Sequence, residues 1–259
     1  IVSPMASFWR DQSKGLLIGS GGGFFGGLAG LGGGLIMIPL MYWAMRLRQH
    51  EAHGTSLVAI VFTSLIGSII YFRHGAADWT AALILAASAM LTARFGALYA
   101  HSLPERKLEK AFAWFVIFIS LLLISKGTIL KLSFQTGPFG YYVVLIVTGI
   151  FTGFLAGMMG VGGGSLMIPS LVICIGMPQH MAQGTSLLAM LPGSAVGAFT
   201  HYRLGNVATR IAFGLVLGAA SGGYLGASLA HLMPELYLRI IFTAAGIWMG
   251  ITYLKSSKK

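Results

Sequence analysis

Long apolar stretches separated by short polar gaps dominate the chain. They cover residues 15–45, 54–72, 79–100, 111–130, 141–177, 184–202, 211–230 and 236–254. About 20 helical residues cross the hydrocarbon of a bilayer, and most stretches fit one crossing. Two do not: 15–45 and 141–177 exceed 30 residues and carry glycine clusters in their middles. The pattern predicts an all-α integral membrane protein. The first stretch runs far beyond the length of a signal-peptide core, so no cleavable signal is expected.

The two long stretches are related. A shift of 130 residues aligns the chain with itself without a gap. Gly30-Leu31-Gly32-Gly33-Gly34 with Pro39 meets Gly160-Val161-Gly162-Gly163-Gly164 with Pro169. Gln49-His50 meets Gln179-His180, and Gly54-Thr55-Ser56-Leu57 meets Gly184-Thr185-Ser186-Leu187. Arg73 and Gly75 meet Arg203 and Gly205. His101, Pro104 and Glu105 meet His231, Pro234 and Glu235. About a third of the paired positions are identical between Gly19 and Leu108. The chain is therefore read as two homologous four-segment repeats, 1–135 and 136–259, forming one membrane domain. Internal duplication is a common plan of secondary transporters.

Charge bears on the topology of each repeat. With every stretch crossing once, the basic residues divide about ten to seven between the two sides. With each glycine-broken stretch folded back as a re-entrant hairpin, the repeats become inverted. Arg10, Lys14, Arg46, Arg48, Arg94, Arg106, Lys107, Lys110, Arg203, Arg210, Lys255, Lys258 and Lys259 then share one side. Arg73, Lys126, Lys131 and Arg239 lie opposite. A ratio of about thirteen to four suits the cytoplasmic excess of Lys and Arg. Inverted repeats in an inner membrane, with both termini cytoplasmic, are the expected arrangement.

Composition agrees. Hydrophobic residues make up 56% and charged residues 9% of 259, against about 25% charged in soluble domains. The net charge of +11 sits in gaps between apolar runs, which suits anionic lipid rather than nucleic acid. Cys174 is the single cysteine and is read as an inert core thiol. All six acids, Asp11, Glu51, Asp78, Glu105, Glu109 and Glu235, fall at span ends or in loops. A cation carrier or proton pump usually places a carboxylate at membrane depth, so an anionic or neutral substrate is favoured. No metal-ligand spacing appears, and neither a metal nor a cofactor is expected. Gly21, Gly23 and Gly26 match a dinucleotide fingerprint formally, but no strand precedes them and no acid follows about 20 residues on.

Glycines 19, 23 and 27, repeated at 149, 153 and 157, line one helix face and admit a second backbone. The clusters Gly30–Gly34 and Gly160–Gly164 are poor helix, at about 1 kcal/mol per glycine against alanine. Open backbone at membrane depth faces protein or a water-filled cavity. A proline five residues on suits the first turn of a new short helix. Such a helix start offers free N–H groups and a positive dipole end to an anion; a tight turn without ligand is the plainer alternative. The candidate substrate-binding set is Gly32, Gly33, Gly34, Thr55, Ser56, Gly162, Gly163, Gly164, Ser165, Thr185 and Ser186. The threonine and serine hydroxyls either cap backbone or bind a substrate oxygen. His53 and Gln183 are candidate further donors, and Arg73 and Arg203 are either interfacial anchors or attract anions at a pathway mouth. Ser165 stands where the first repeat has Leu35, so the repeats are not equivalent.

Paired GxGGGxxxxP segments, each followed by Gly-Thr-Ser near the start of the next span, resemble the sulfite exporter TauE/SafE family. Gly30–Pro39 with Gly54–Ser56 and Gly160–Pro169 with Gly184–Ser186 carry the likeness. It implies an inner-membrane carrier exporting a small sulfur-containing anion such as sulfite, sulfoacetate or a related sulfonate. A passive small-anion channel of the same architecture is the alternative, and a homodimer is compatible with either. An intramembrane serine protease is disfavoured, because the Gly-Thr-Ser-Leu segments lack the last glycine of a GxSG motif. No catalytic residue is expected.

Overall fold

The computed structural model describes residues 4–104 and 137–256, with 110, 113, 114, 117, 118 and 121 between them. The expected span at 111–130, and Glu105, Arg106, Lys107, Glu109, Lys126, Lys131, Lys258 and Lys259, lie wholly or largely outside the described residues. Among these the chain is helical and without strands. The helices are α1 (Pro4–Ala29), α2 (Gly34–Met45), α3 (Gln49–Arg73), α4 (Trp79–Ser102), α5 (Pro138–Met159), α6 (Gly164–Ser170), α7 (Gln179–Arg203), α8 (Thr209–Ala230) and α9 (Glu235–Ser256). α6 continues into a π-helical turn at Leu171–Ile175. α3, α4, α5 and α8 are long and apolar enough to cross a membrane.

Local chemistry sets the helix ends. The Glu51 carboxylate accepts from the Arg48 N–H at 3.1 Å, closing the start of α3. Asp78 accepts from the Ala81 N–H at 3.0 Å at the start of α4. Gly30, Gly32 and Gly33 hold φ of 73°, 76° and 91°, and Gly160, Gly162 and Gly163 hold 66°, 86° and 83°. These left-handed positions, easy only for glycine, end α1 and α5 and turn the chain back. α2 then retraces α1, with Met37 against Gly22 and Gly33 against Gly26. Pro39 and Pro169, expected in the first turn of the new helices, stand instead at their sixth residues. The left-handed glycines place the helix starts at Gly34 and Gly164, upstream of the prolines.

Small residues dictate which helices pair. α1 lies along α8 in the same direction: Gly15 opposes Ile211, Gly23 opposes Ala219 and Gly27 opposes Gly223. α5 lies along α4 in the same way, with Gly149 against Ser88, Gly153 against Ala89 and Gly157 against Ala93. The glycine faces read from sequence are therefore helix seams. α3 follows α8, since Thr55 bonds the Ala208 N–H and Thr63 the Ala219 carbonyl. α3 and α7 cross antiparallel at the centre, Gly67 packing on Leu187 and Gly197 on Leu57. Each seam joins a helix of one repeat to a helix of the other.

Candidate functional site

The two glycine turns meet. A Cβ on Gly34 would lie 2.5 Å from the Gly160 carbonyl oxygen, and one on Gly164 would lie 2.6 Å from that of Gly30. Two serines hold the contact. Ser56 Oγ donates to the Gly160 carbonyl at 2.6 Å, and Ser186 Oγ donates to the Gly30 carbonyl at 2.9 Å. Each hydroxyl also lies 2.8 Å from a carbonyl of its own helix, His53 or Gln183. The central helix of each repeat thus grips the turn of the other. Ile60 and Met190, equivalent under the offset, both touch Gly32 and Gly162 and close the contact on one flank.

The first-turn N–H groups of Gly34, Leu35, Gly164 and Ser165 have no hydrogen-bond acceptor among the described residues. Free N–H groups at a helix start carry the positive end of the dipole. The two starts lie against each other's turns, at Gly34 beside Gly160 and Gly164 beside Gly30. Behind the second turn lies a cavity of about 10 Å³, lined by Thr152, Ala156, Val161, Gly163 and Ser165 among others; that is room for about one water. In the first repeat Met37 packs against Gly22, the counterpart of Thr152. The Leu35 and Ser165 difference thus accompanies a methionine against glycine in one repeat and a small, mostly apolar cavity in the other.

Of the sequence candidates, the structure gathers Gly32–Gly34, Ser56, Gly162–Gly164, Ser165 and Ser186, with His53 beside Gly160 and Gln183 beside Gly30. Thr55 and Thr185 are fully buried and their oxygens serve backbone. Thr55 Oγ1 donates to the Glu51 carbonyl at 2.6 Å and accepts from the Ala208 N–H at 2.8 Å. Thr185 Oγ1 accepts from the Asp78 N–H at 2.9 Å. These hydroxyls staple α3 and α7 to the turns before α8 and α4. Thr55→Val should cost about 1–3 kcal/mol by leaving a polar N–H unpaired, read as a lower Tm of the purified protein. Arg73 and Arg203 are exposed at the ends of α3 and α7, Arg203 lying 5.9 Å from the Phe199 ring centroid. They are not drawn into the site.

Sequence reading passed over Ser64 and Ser194. Both are buried, and neither hydroxyl has a partner. They sit one turn beyond Ile60 and Met190 on α3 and α7. The signal was present, since they are identical residues at the 130-residue offset. Tyr71 and His201 also correspond, and they repeat one contact: Tyr71 Oη lies 3.3 Å from the Gly27 carbonyl and His201 Nε2 lies 2.9 Å from that of Gly157.

Known proteins are similar to this chain over nearly its whole length. The chain is 30% identical to the probable membrane transporter protein YunE of Bacillus subtilis, covering 91% of this chain and 94% of that one. A probable membrane transporter protein of Xylella fastidiosa is also 30% identical, over 90% and 94%. One from Methanocaldococcus jannaschii is 24% identical, over 92% and 94%. No solved structure matches the chain at a significant level. The sulfite exporter TauE/SafE family matches residues 15–253, and the chain is a multi-pass membrane protein that belongs to this family of transporters.

Proposed function

We propose that the protein is a secondary carrier that exports a small sulfur-containing oxyanion, sulfite or a compact sulfonate, across the inner membrane. The observation that carries this reading is the meeting of two helix starts whose first-turn N–H groups have no acceptor among the described residues. Two dipole ends of about half a charge each roughly balance one anionic headgroup. Glycine at the turns lets backbone donors approach sulfur-bound oxygens where a side chain would intervene. The acids Asp11, Glu51, Asp78 and Glu235 lie at or beside the ends of helices or in their outer turns, outside the segments Gly30–Gly34 and Gly160–Gly164. The family's description as a sulfite exporter points to the same chemistry.

The helix directions support inverted repeats with re-entrant hairpins. α1, α3 and α8 run one way and α4, α5 and α7 the other, so equivalent helices are opposed. Basic residues support cytoplasmic termini. Arg10, Lys14, Arg46, Arg48, Arg203 and Arg210 belong to the end of the bundle where α1, α3 and α8 begin, and Arg73 to the other. At that basic end an open cleft of about 480 Å³ is lined by Tyr42, Trp43, Arg46, Leu47, Arg48 and Gln49. Arg46 holds φ 51° where the second repeat has Gly176 at 81°. An arginine kept in a conformation that favours glycine suits an anion vestibule.

The closed contact of the turns favours a carrier over a channel, because the anion's place opens only when the turns part. Counterflow in proteoliposomes tests this. Labelled sulfite or sulfoacetate should exchange against unlabelled anion, and Arg46→Gly should slow exchange while stability stays within about 1 kcal/mol. Flux that follows membrane potential without counterflow would make the protein a channel. Absence of flux with every small sulfur oxyanion would overturn the reading.

A further inference from the structure

Two buried hydroxyls of the central helices are left without hydrogen bonds, and they correspond under the 130-residue offset: Ser64 of α3 and Ser194 of α7. They are 0% and 1% exposed. A serine or threonine within a helix often bonds the carbonyl one turn back, as Thr63 does with Ala59 at 3.3 Å and Thr200 with Val196 at 2.8 Å. Every other buried serine or threonine hydroxyl of these two helices is bonded. Thr55, Ser56, Thr185 and Ser186 hold backbone groups, and Ser68 Oγ donates to the Leu65 carbonyl at 3.0 Å. Native interiors leave few polar groups unpaired, and here the exception occurs twice at equivalent positions.

Their place is the antiparallel crossing of α3 and α7. Ser64 lies between Ile60 and Gly67, and Ser194 between Met190 and Gly197, at the three- and four-residue spacing that keeps side chains on one helix face. The outer contacts fix that face. A Cβ on Gly67 would lie 2.9 Å from Leu187 Cδ1, and one on Gly197 would lie 3.0 Å from Leu57 Cδ1. The register between these contacts sets Ser64 level with Met190 and Ser194 level with Ile60, a step of about 6 Å along the bundle at 1.5 Å per residue. Ile60 and Met190 are the side chains that cover the turns. They lie 2.9 Å and 3.4 Å from a Cβ on Gly32, and 3.0 Å and 3.2 Å from one on Gly162. Each turn-covering side chain therefore has a serine at its own level on the facing helix. Between Met190 and Ser194, Pro192 supplies no N–H to the Leu188 carbonyl, so α7 bends there more readily than α3, which carries Phe62 at the equivalent position.

We propose that Ser64 and Ser194 are substrate-binding residues, a pair of hydroxyls on the α3–α7 crossing that donate to the sulfur-bound oxygens of the anion once the turns part. The inference rests on the carrier reading above. In the closed protein each hydroxyl is idle, and an unpaired buried donor costs stability. When Ile60 and Met190 withdraw with the turns, the same groups gain an acceptor. Each serine gives one O–H that rotates to suit its partner, so the pair can follow an oxyanion as it moves past the fixed N–H groups of the glycine turns. The hydroxyls are neutral and take up no proton near neutral pH, so they serve the anion equally in either direction.

Counterflow of labelled sulfoacetate and of labelled sulfite in proteoliposomes, with thermal unfolding of the same purified proteins, tests the proposal. Ser64→Ala and Ser194→Ala should each raise the half-saturating concentration of the exchanged anion about tenfold or more, the loss of one hydrogen bond to a charged group. Their Tm should stay at or above that of wild type, because alanine removes a donor that has no partner in the closed protein. Ser64→Cys keeps the side chain's size but replaces the hydroxyl by a weak donor, and it should lose affinity as the alanine variant does. Wild-type half-saturation in both alanine variants, or in Ser64→Cys, would overturn the hydroxyl site and leave the carrier reading standing. A Tm lowered by several degrees in both alanine variants would overturn it too, since the hydroxyls would then be bonded in the closed protein. Absence of exchange in wild type with either anion would overturn the carrier reading, and this site with it.

Discussion

Gly34→Val and Gly164→Val should each reduce anion counterflow at least about a hundredfold, with a stability loss above the roughly 1–3 kcal/mol of ordinary overpacking, because backbone opposes the new side chain. Neither glycine needs a left-handed backbone; each lies in the first turn of a helix that valine can join. What valine meets is the other repeat. From Gly34 the new Cβ would lie 2.5 Å from the Gly160 oxygen and 2.7 Å from Ile60 Cδ1. From Gly164 it would lie 2.6 Å from the Gly30 oxygen and 3.0 Å from Leu31 Cα. The turns must then stand apart permanently, and a branched side chain covers the N–H groups assigned to the anion. Counterflow beside thermal unfolding separates the two effects. Wild-type exchange in both variants would move the anion site elsewhere and leave the glycines as packing.

The helix seams carry the larger structural effect. Gly153→Leu places a Cβ 2.5 Å from Ala89 Cα and against its carbonyl, between helices with no room to separate. Gly27→Leu meets the Gly223 carbonyl and lies 2.9 Å from the Ala227 N–H. Overpacking costs about 1–3 kcal/mol where side chains yield and more where backbone opposes it. Both variants should therefore lose most folded, monodisperse protein. Gly21→Leu supplies the contrast. It lies on the same helix as Gly27, but nothing stands within 4 Å of its Cβ, so its effect should stay within about 0.5 kcal/mol. Equal losses at Gly21 and Gly27 would mean that helix propensity, not the seam, sets the damage.

Much of this plan is written in the order of residues. The offset of 130, the glycine faces and the breaks at Gly30–Gly34 and Gly160–Gly164 are local patterns, and local patterns survive in a linear reading. Pro39 and Pro169 misled because either proline suits a helix start, while the left-handed glycines that set the start leave no mark apart from being glycine. Thr55 and Thr185 show a second limit. A hydroxyl near a helix start signals a hydrogen bond, but whether to a ligand or to the Ala208 and Asp78 N–H groups depends on residues more than 100 positions away. Partner choice across the seams was hidden for the same reason. Nothing in Gly19 or Gly23 names α8.

Since α1 docks on α8, α5 docks on α4, and Ser56 and Ser186 each hold the opposite repeat's turn, neither repeat owns a complete core. A polypeptide ending near residue 135 would leave its glycine seams bare. Carrying both halves on one chain also fixes their stoichiometry and lets Leu35 differ from Ser165, and His53 from Gln183, as no identical pair of subunits could.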